Sequence, residues 1–165
     1  MHGQERLLAV GGVHAFEGTE PCHLTNVEPA SALEDLHWQN ALVVRAREEG
    51  RAELACGEHR ARMRVVTPAQ LELRLVEEHA AVGQRFHVRA VPHDRAGHEL
   101  EIGKWTELTW RADEGIEREQ SSGEFGQCDS CFGMAGFRAT TAREATIEAR
   151  FGAATGALRV TVRPQ

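Results

Sequence analysis

Ala145-Thr146-Ile147-Glu148-Ala149-Arg150-Phe151, a glycine-bearing loop from Gly152 to Gly156, and Ala157-Leu158-Arg159-Val160-Thr161-Val162 form the stretch whose reading decides the fold. In the first run Ile147 and Ala149 share one side and Glu148 takes the other. In the second, Leu158, Val160 and Val162 share one side. A side-chain period of two is that of a half-buried strand. Two such runs joined by a short glycine loop read as a hairpin. Upstream, Leu71-Glu72-Leu73-Arg74-Leu75 alternates in the same way, and Val82-Gly83-Gln84 turns the chain into a run containing Phe86, Val88 and Ala90. Pro92 to Gly97 carries turn residues. Trp105 to Trp110 and Gly136 to Thr140 supply further strands. About seven short strands separated by turns are the signature of a β-sandwich.

The same order recurs nearer the start. Arg6 to Val10, with His14 and Gly18, matches Arg85 to Arg89, with His93 and Gly97. Leu24-Thr25 matches Leu108-Thr109, and Arg45-Ala46 through Ala52 matches Arg138-Ala139 through Ala145. Arg64 to Pro68 matches Arg159 to Pro164. The offset grows from about 79 to about 96, as loop insertions produce between homologous units. The expectation is an all-β chain of two tandem modules, residues 1–68 and 69–165, joined at Thr67-Pro68-Ala69-Gln70. A proline-bearing linker this short leaves the modules only partly free to reorient. Strands are expected at 6–10, 22–27, 42–46, 51–56 and 61–66 in the first module. Ala32 to Trp38, with Leu33 and Leu36 three apart, reads as a single helical turn. The first module has no counterpart of Leu71–Leu75, so it is expected to lack its first strand. A start at a second strand suggests a piece of a longer chain whose upstream neighbour supplies that strand.

Val82-Gly83-Gln84-Arg85-Phe86, Asp94-Arg95-Ala96-Gly97, Leu108-Thr109-Trp110 and the closing Leu158 to Pro164 resemble the bacterial immunoglobulin-like family (group 2 type). The resemblance covers most of residues 70–164 and, more weakly, 6–68. It implies tandem immunoglobulin-like β-sandwiches from a surface or envelope protein. The chain departs from the antibody-type pattern. Its second strands carry no Cys, there is no Tyr for a tyrosine corner, and Asn26 stands where the second module has Trp110.

Composition excludes several classes. Hydrophobic residues make up 41% and charged residues 27% of the 165, which is ordinary for a globular chain. A net charge of −6 argues against nucleic acid or an anionic membrane as the main partner. No apolar run approaches the roughly 18 residues of a membrane-spanning helix. There is no G-x-S-x-G elbow, Walker loop or Rossmann glycine run, so no residue is expected to be catalytic and no cofactor is expected.

Four cysteines carry the suggestive chemistry. Cys128-Asp129-Ser130-Cys131 lies in an insertion that only the second module has. It reads as a disulfide staple, as half of a zinc site that Cys56 and His59 would have to complete, or as a redox pair. Cys22 and Cys56 fall on neighbouring strands of the first module, where a disulfide and two buried thiols are both open readings. The nine histidines are scattered without an H-x-x-x-H or H-E-x-x-H pair, so solvated side chains are expected and no metal site is assigned. Asp94, Glu99 and Glu101 could contribute to a calcium site between the modules, but Arg95 beside Asp94 favours a solvated turn. The charge run from Glu114 to Glu119 reads as a solvated loop.

The expected function is non-catalytic: an extracytoplasmic spacer and scaffold for a protein or glycan partner and for neighbouring domains, with no membrane insertion. Glu124, Phe125 and Phe132 in the insertion, with Trp105, are the binding-loop candidates, because function concentrates on loops carried by rigid scaffolds. The alternatives are a thiol-redox or zinc protein using Cys128 and Cys131, and a carbohydrate-binding module using Trp105 or Trp38.

Overall fold

The computed structural model describes residues 5–17, 19–38, 41–119 and 131–165. The first module comprises β1 (Arg6–Ala9), β2 (Val13–Phe16), β3 (Cys22–Glu28), β4 (Leu33–Asp35), β5 (Leu42–Ala46), β6 (Gly50–Cys56) and β7 (His59–Val66). The second comprises β8 (Gln70–Leu75), β9 (Ala80–Ala81), β10 (Arg85–His93), β11 (Thr109–Ala112), β12 (Ile116–Glu119), β13 (Met134–Ala139), β14 (Glu144–Phe151) and β15 (Ala154–Arg163). A 3-10 turn at Cys131–Gly133 precedes β13.

The strands of the second module lie in the orders β12-β13-β10-β8 and β11-β14-β15-β9. Those of the first lie in the orders β1-β7-β6-β3 and β2-β5-β4. This is the immunoglobulin-like arrangement, in which the two sheets draw alternately on the chain. A short strand runs parallel to the last strand in both modules, β9 with β15 and β1 with β7. Only the second module has β8, its first strand, paired antiparallel to β10. Among the described residues nothing takes the equivalent place beside β2 as a strand.

Period-two burial is what makes these runs strands. Along β14, Ala145, Ile147, Ala149 and Phe151 are buried, and the alternate residues face water or are half-buried. The second core contains Phe86, Val88, Phe137 and Ile147 at its centre. Phe86 and Phe137 stack at 5.9 Å, and Trp110 meets Phe137 edge-on at 5.7 Å. Such ring pairs add about 1 kcal/mol each beyond area burial. The first core is built on Leu8, Phe16, Val44, Leu54, Met63 and Val65.

Four expectations need correction. Ala32–Trp38 holds strand β4 rather than a helical turn: Leu33 is buried in the core, Glu34 is half-buried and Asp35 is exposed at the strand end, so β5 pairing outweighs a weak three-residue spacing. Glu114–Glu119 is a turn leading into β12, anchored by buried Ile116 and paired to β13. β2, short and bounded by glycines, was absent from the expected strands. Arg6–Ala9 therefore corresponds to β9, the partner of the last strand, and Val13–Phe16 corresponds to β10. The other repeat matches fall on equivalent strands: Leu24-Thr25 on β3 and β11, Arg45-Ala46 on β5 and β13, Arg64 on β7 and Arg159 on β15.

The two modules share a strand. Along β1, Leu8 faces the first core, whereas Leu7 and Ala9 face the second, so one pleated ribbon serves both. The segment 99–106 of the second module runs alongside. Ala9 N–H donates to the Glu101 carbonyl at 3.0 Å and Glu101 N–H to the Leu7 carbonyl at 2.7 Å. Arg6 grips the Glu101 carboxylate with two bonds of 2.9 and 2.6 Å. The same segment then meets β2. Trp105 N–H donates to the Val13 carbonyl at 3.3 Å, and Val13 N–H donates to the Thr106 hydroxyl at 2.9 Å. The second module thus occupies part of the place where a first strand would lie against β2. Gly103 makes this approach sterically allowed: its φ is +86°, and a Cβ there would sit 2.4 Å from the Val13 carbonyl oxygen.

Candidate contact surface at the module junction

Three loops place aromatic side chains on the surface near the shared strand. Trp38 stands on the β4–β5 loop of the first module and is 55% exposed. Trp105 stands on the β10–β11 loop of the second and is half-buried. Their ring centroids are 5.9 Å apart at 60°. The Lys104 ammonium lies 5.7 Å from the Trp105 ring. Phe132, 57% exposed, enters through the 3-10 turn, and its N–H donates to the Lys104 carbonyl at 3.2 Å. Phe132 also lines a shallow recess of about 280 Å³ with Val91, Pro92, Leu100 and Ile102. Its φ of +55° holds the ring in this place, in a region that side-chain-bearing residues enter at a cost.

Of the residues singled out from the sequence, Trp105, Phe132 and Trp38 gather here. Glu124, Phe125 and Cys128 lie outside the described residues, as does the side chain of Cys131. Cys22 and Cys56 are opposite each other on β3 and β6 and are joined by a disulfide.

At the junction, against Gly12 and Gly103, lies a group that sequence reading passed over. His14, expected to be solvated like the other histidines, is 3% exposed on β2, and its Nε2 has no hydrogen-bond partner. Burial pushes its pKa down to about 4. The signal was available: His14 occupies a core-facing position between Gly12 and Phe16. Other histidines meet carboxylates. His87 contacts Glu77 at 2.5 Å, His93 contacts Glu72 at 2.9 Å, and His98 contacts Asp94 at 3.1 Å. Hydrogen bonds from Arg74 and His93 hold the Glu72 carboxyl well below its ordinary range.

The acidic residues considered for calcium diverge. Glu101 is held by Arg6, Glu99 by Arg74, and Asp94 accepts from the His98 amide at 2.8 Å. Among the described residues no group of three His, Cys, Asp or Glu side chains converges on a point that could hold a metal ion. No described helix is long and apolar enough to cross a membrane.

No protein-family model matches the sequence. No curated protein matches it significantly. Solved structures do resemble it. The chain is similar to domains 4–9 of the surface layer protein SbsC, at a TM-score of 0.41 and 11% identity over 99% of this chain and 30% of that one. It is similar to invasin, described as a bacterial integrin-binding protein, at 0.44 and 11% over 93% and 33%. It is similar to the Escherichia coli adhesin FdeC, at 0.41 and 17% over 94% and 60%. The chain spans less than two thirds of each of these chains. Both modules are immunoglobulin-like β-sandwiches. That assignment rests on the strand order and register above.

Proposed function

We propose that this chain is a non-catalytic, two-module scaffold of a bacterial surface or envelope protein, and that Trp38, Trp105 and Phe132 beside Lys104 form its contact surface for a protein or glycan. In this reading the modules are residues 1–68 and 69–165, divided between β7 and β8. The observation that carries the proposal is the contact of exposed Trp38 with half-buried Trp105, next to exposed Phe132, whose N–H donates to the Lys104 carbonyl. Two of the three large hydrophobic side chains that stand exposed among the described residues belong to this patch. Their loops come from different strands of both modules. Trp and Phe offer large apolar faces at low entropic cost, and tryptophan dominates binding hot spots when a partner covers it. The junction beneath is hydrogen-bonded on both β1 and β2, so the patch is carried on a pre-organised base, which lowers the cost of binding.

The test uses a glycan array and a panel of purified matrix proteins, probed with the whole chain and with Trp38→Ala, Trp105→Ala and Phe132→Ala. The expected outcome is a ligand whose binding falls in all three variants while the circular dichroism spectrum stays unchanged. Binding that survives all three would remove the patch as the site. The thiol reading of Cys128 and Cys131 is tested separately, by intact mass before and after reduction with alkylation and by metal analysis. A bound zinc would replace the staple.

A further inference from the structure

A second surface has no role in that reading. On β7, Ala61, Met63 and Val65 face the first core, which leaves Arg60, Arg62 and Arg64 on the outer face of the sheet. Residues two apart on a strand are about 6.7 Å apart, so the three guanidinium groups follow a line at that period. β6 adds to it. Arg51 lies directly opposite Arg64, Glu53 opposite Arg62 and Ala55 opposite Arg60. On the far side of β6, Thr25 and His23 of β3 continue the same face. The row leads into a cleft of about 1060 Å³ between the modules, lined by Arg51, Arg64 and Arg95 together with Glu49 and Asp94, and floored by Val66, Pro68 and Ala69.

This arrangement costs stability. Like charges directly opposite on paired strands repel, yet Arg51 faces Arg64. Several arginines elsewhere are matched, Arg6 with Glu101, Arg47 with Glu34, Arg74 with Glu72 and Arg159 with Glu144. Among the described residues, Arg51, Arg60 and Arg62 make no ion pair. Glu53 accepts a hydrogen bond from the Asn26 amide at 3.0 Å, and Glu5 reaches only Arg64, at 3.3 Å. Arg51, Arg60 and Arg62 without ion pairs, beside Arg64 paired only to Glu5, give this face a positive excess in a chain of net charge −6, a local reversal of the protein's field.

We propose that this face binds an extended acidic peptide segment of a partner protein, with a carboxylate at every second residue. The period selects the occupant. An extended chain places alternate side chains on one side at the spacing of Arg60, Arg62 and Arg64. Each guanidinium can then take one carboxylate as a fork. The cleft beyond Arg64 accepts the end of the segment between Arg51 and Arg95.

The test measures fluorescence anisotropy of labelled peptides with the whole chain. One peptide has Glu at every second residue, a second has the same composition with its Glu residues in one block, and a third has Gln for Glu. The alternating peptide should bind most tightly, and added salt should weaken it. The doubly substituted R60Q/R62Q variant should bind it roughly tenfold more weakly. Both side chains are exposed and sit among like charges, so its melting temperature should be no lower than that of the parent. Equal affinity for alternating and blocked peptides, or no change in R60Q/R62Q, would overturn the proposal. So would binding of dextran sulfate without binding of the alternating peptide, which would assign the face to acidic polysaccharide.

Discussion

The two modules have one topology but differ in what completes them. The second has its own first strand and an aromatic centre: β8 covers β10, Phe86, Phe137 and Trp110 pack together, and Leu7 and Ala9 of β1 are added at its side. Among its described residues the first has no counterpart of β8 on the free side of β2, has Asn26 where the second has Trp110, and leans on segment 99–106 of its neighbour. Its added reinforcement is the Cys22–Cys56 disulfide, which ties edge strand β3 to β6. A fold can therefore be kept with fewer of its own parts when the adjoining domain supplies the missing contacts. The cost is independence: the first module should depend on the second more than the second, which takes only Leu7, Ala9 and Val66 from its neighbour, depends on the first.

That asymmetry can be broken most forcefully at Phe137, which is 1% exposed. Phe137→Ala should cost about 3–5 kcal/mol and should lower the melting of both modules together. Leu54→Ala, in the first core, should leave a second transition at the parent position. Calorimetry reads both, and two independent transitions in Phe137→Ala would refute the dependence. Next in size is the disulfide. Its partners are 34 residues apart, and loss of a loop closure of that length costs about 3–4 kcal/mol. Cys22→Ala/Cys56→Ala should destabilise the first module alone, as read from hydrogen exchange on β3 and β6.

The junction gives a pH test. The pKa of folded His14 is about 4, below its ordinary 6.5. The folded state thus binds fewer protons than the unfolded state between these values, and stability falls as pH drops from 6.5 to 4. Above that window His14 is neutral in both states and contributes no pH dependence. The full effect is roughly 3 kcal/mol. Urea midpoints at pH 7 and pH 4.5 should differ by less in His14→Gln than in the parent. An unchanged difference would show that other groups govern the acid sensitivity. The smallest effect belongs to Arg6 and Glu101, whose side chains are 37% and 44% exposed. Arg6→Gln should cost less than about 1 kcal/mol, measurable by its double-mutant cycle with Glu101→Gln.

Legibility followed amphipathicity. β14 and β15 stood out because every second residue is apolar over long runs. β8 did so for the same reason. β2 and β4 are three or four residues long, too short for a period to show, and long-range pairing to β5 alone makes them strands. The first repeat match slipped by one strand because Arg6–Ala9 alternates as a strand should, and alternation carries no information about parallel or antiparallel partners. At the contact surface, Trp105 and Phe132 were legible as loop aromatics. Their convergence with Trp38 was not, because it depends on how segment 99–106 lies across the first module. His14 was missed because histidine is usually solvated, and its buried face is set by a strand that had not been recognised.

β1 has a consequence for load. It runs parallel to β7, with Arg6 through Ala9 in register with Met63 through Val66. A pull on its N-terminal end is directed along the strand axis. Every inter-strand bond is then sheared at once, whereas a hairpin pulled from its open end unzips one pair at a time. Because the Ala9 and Leu7 bonds to Glu101 lie on the same ribbon, tension entering at residue 6 reaches both sandwiches before either has lost a strand.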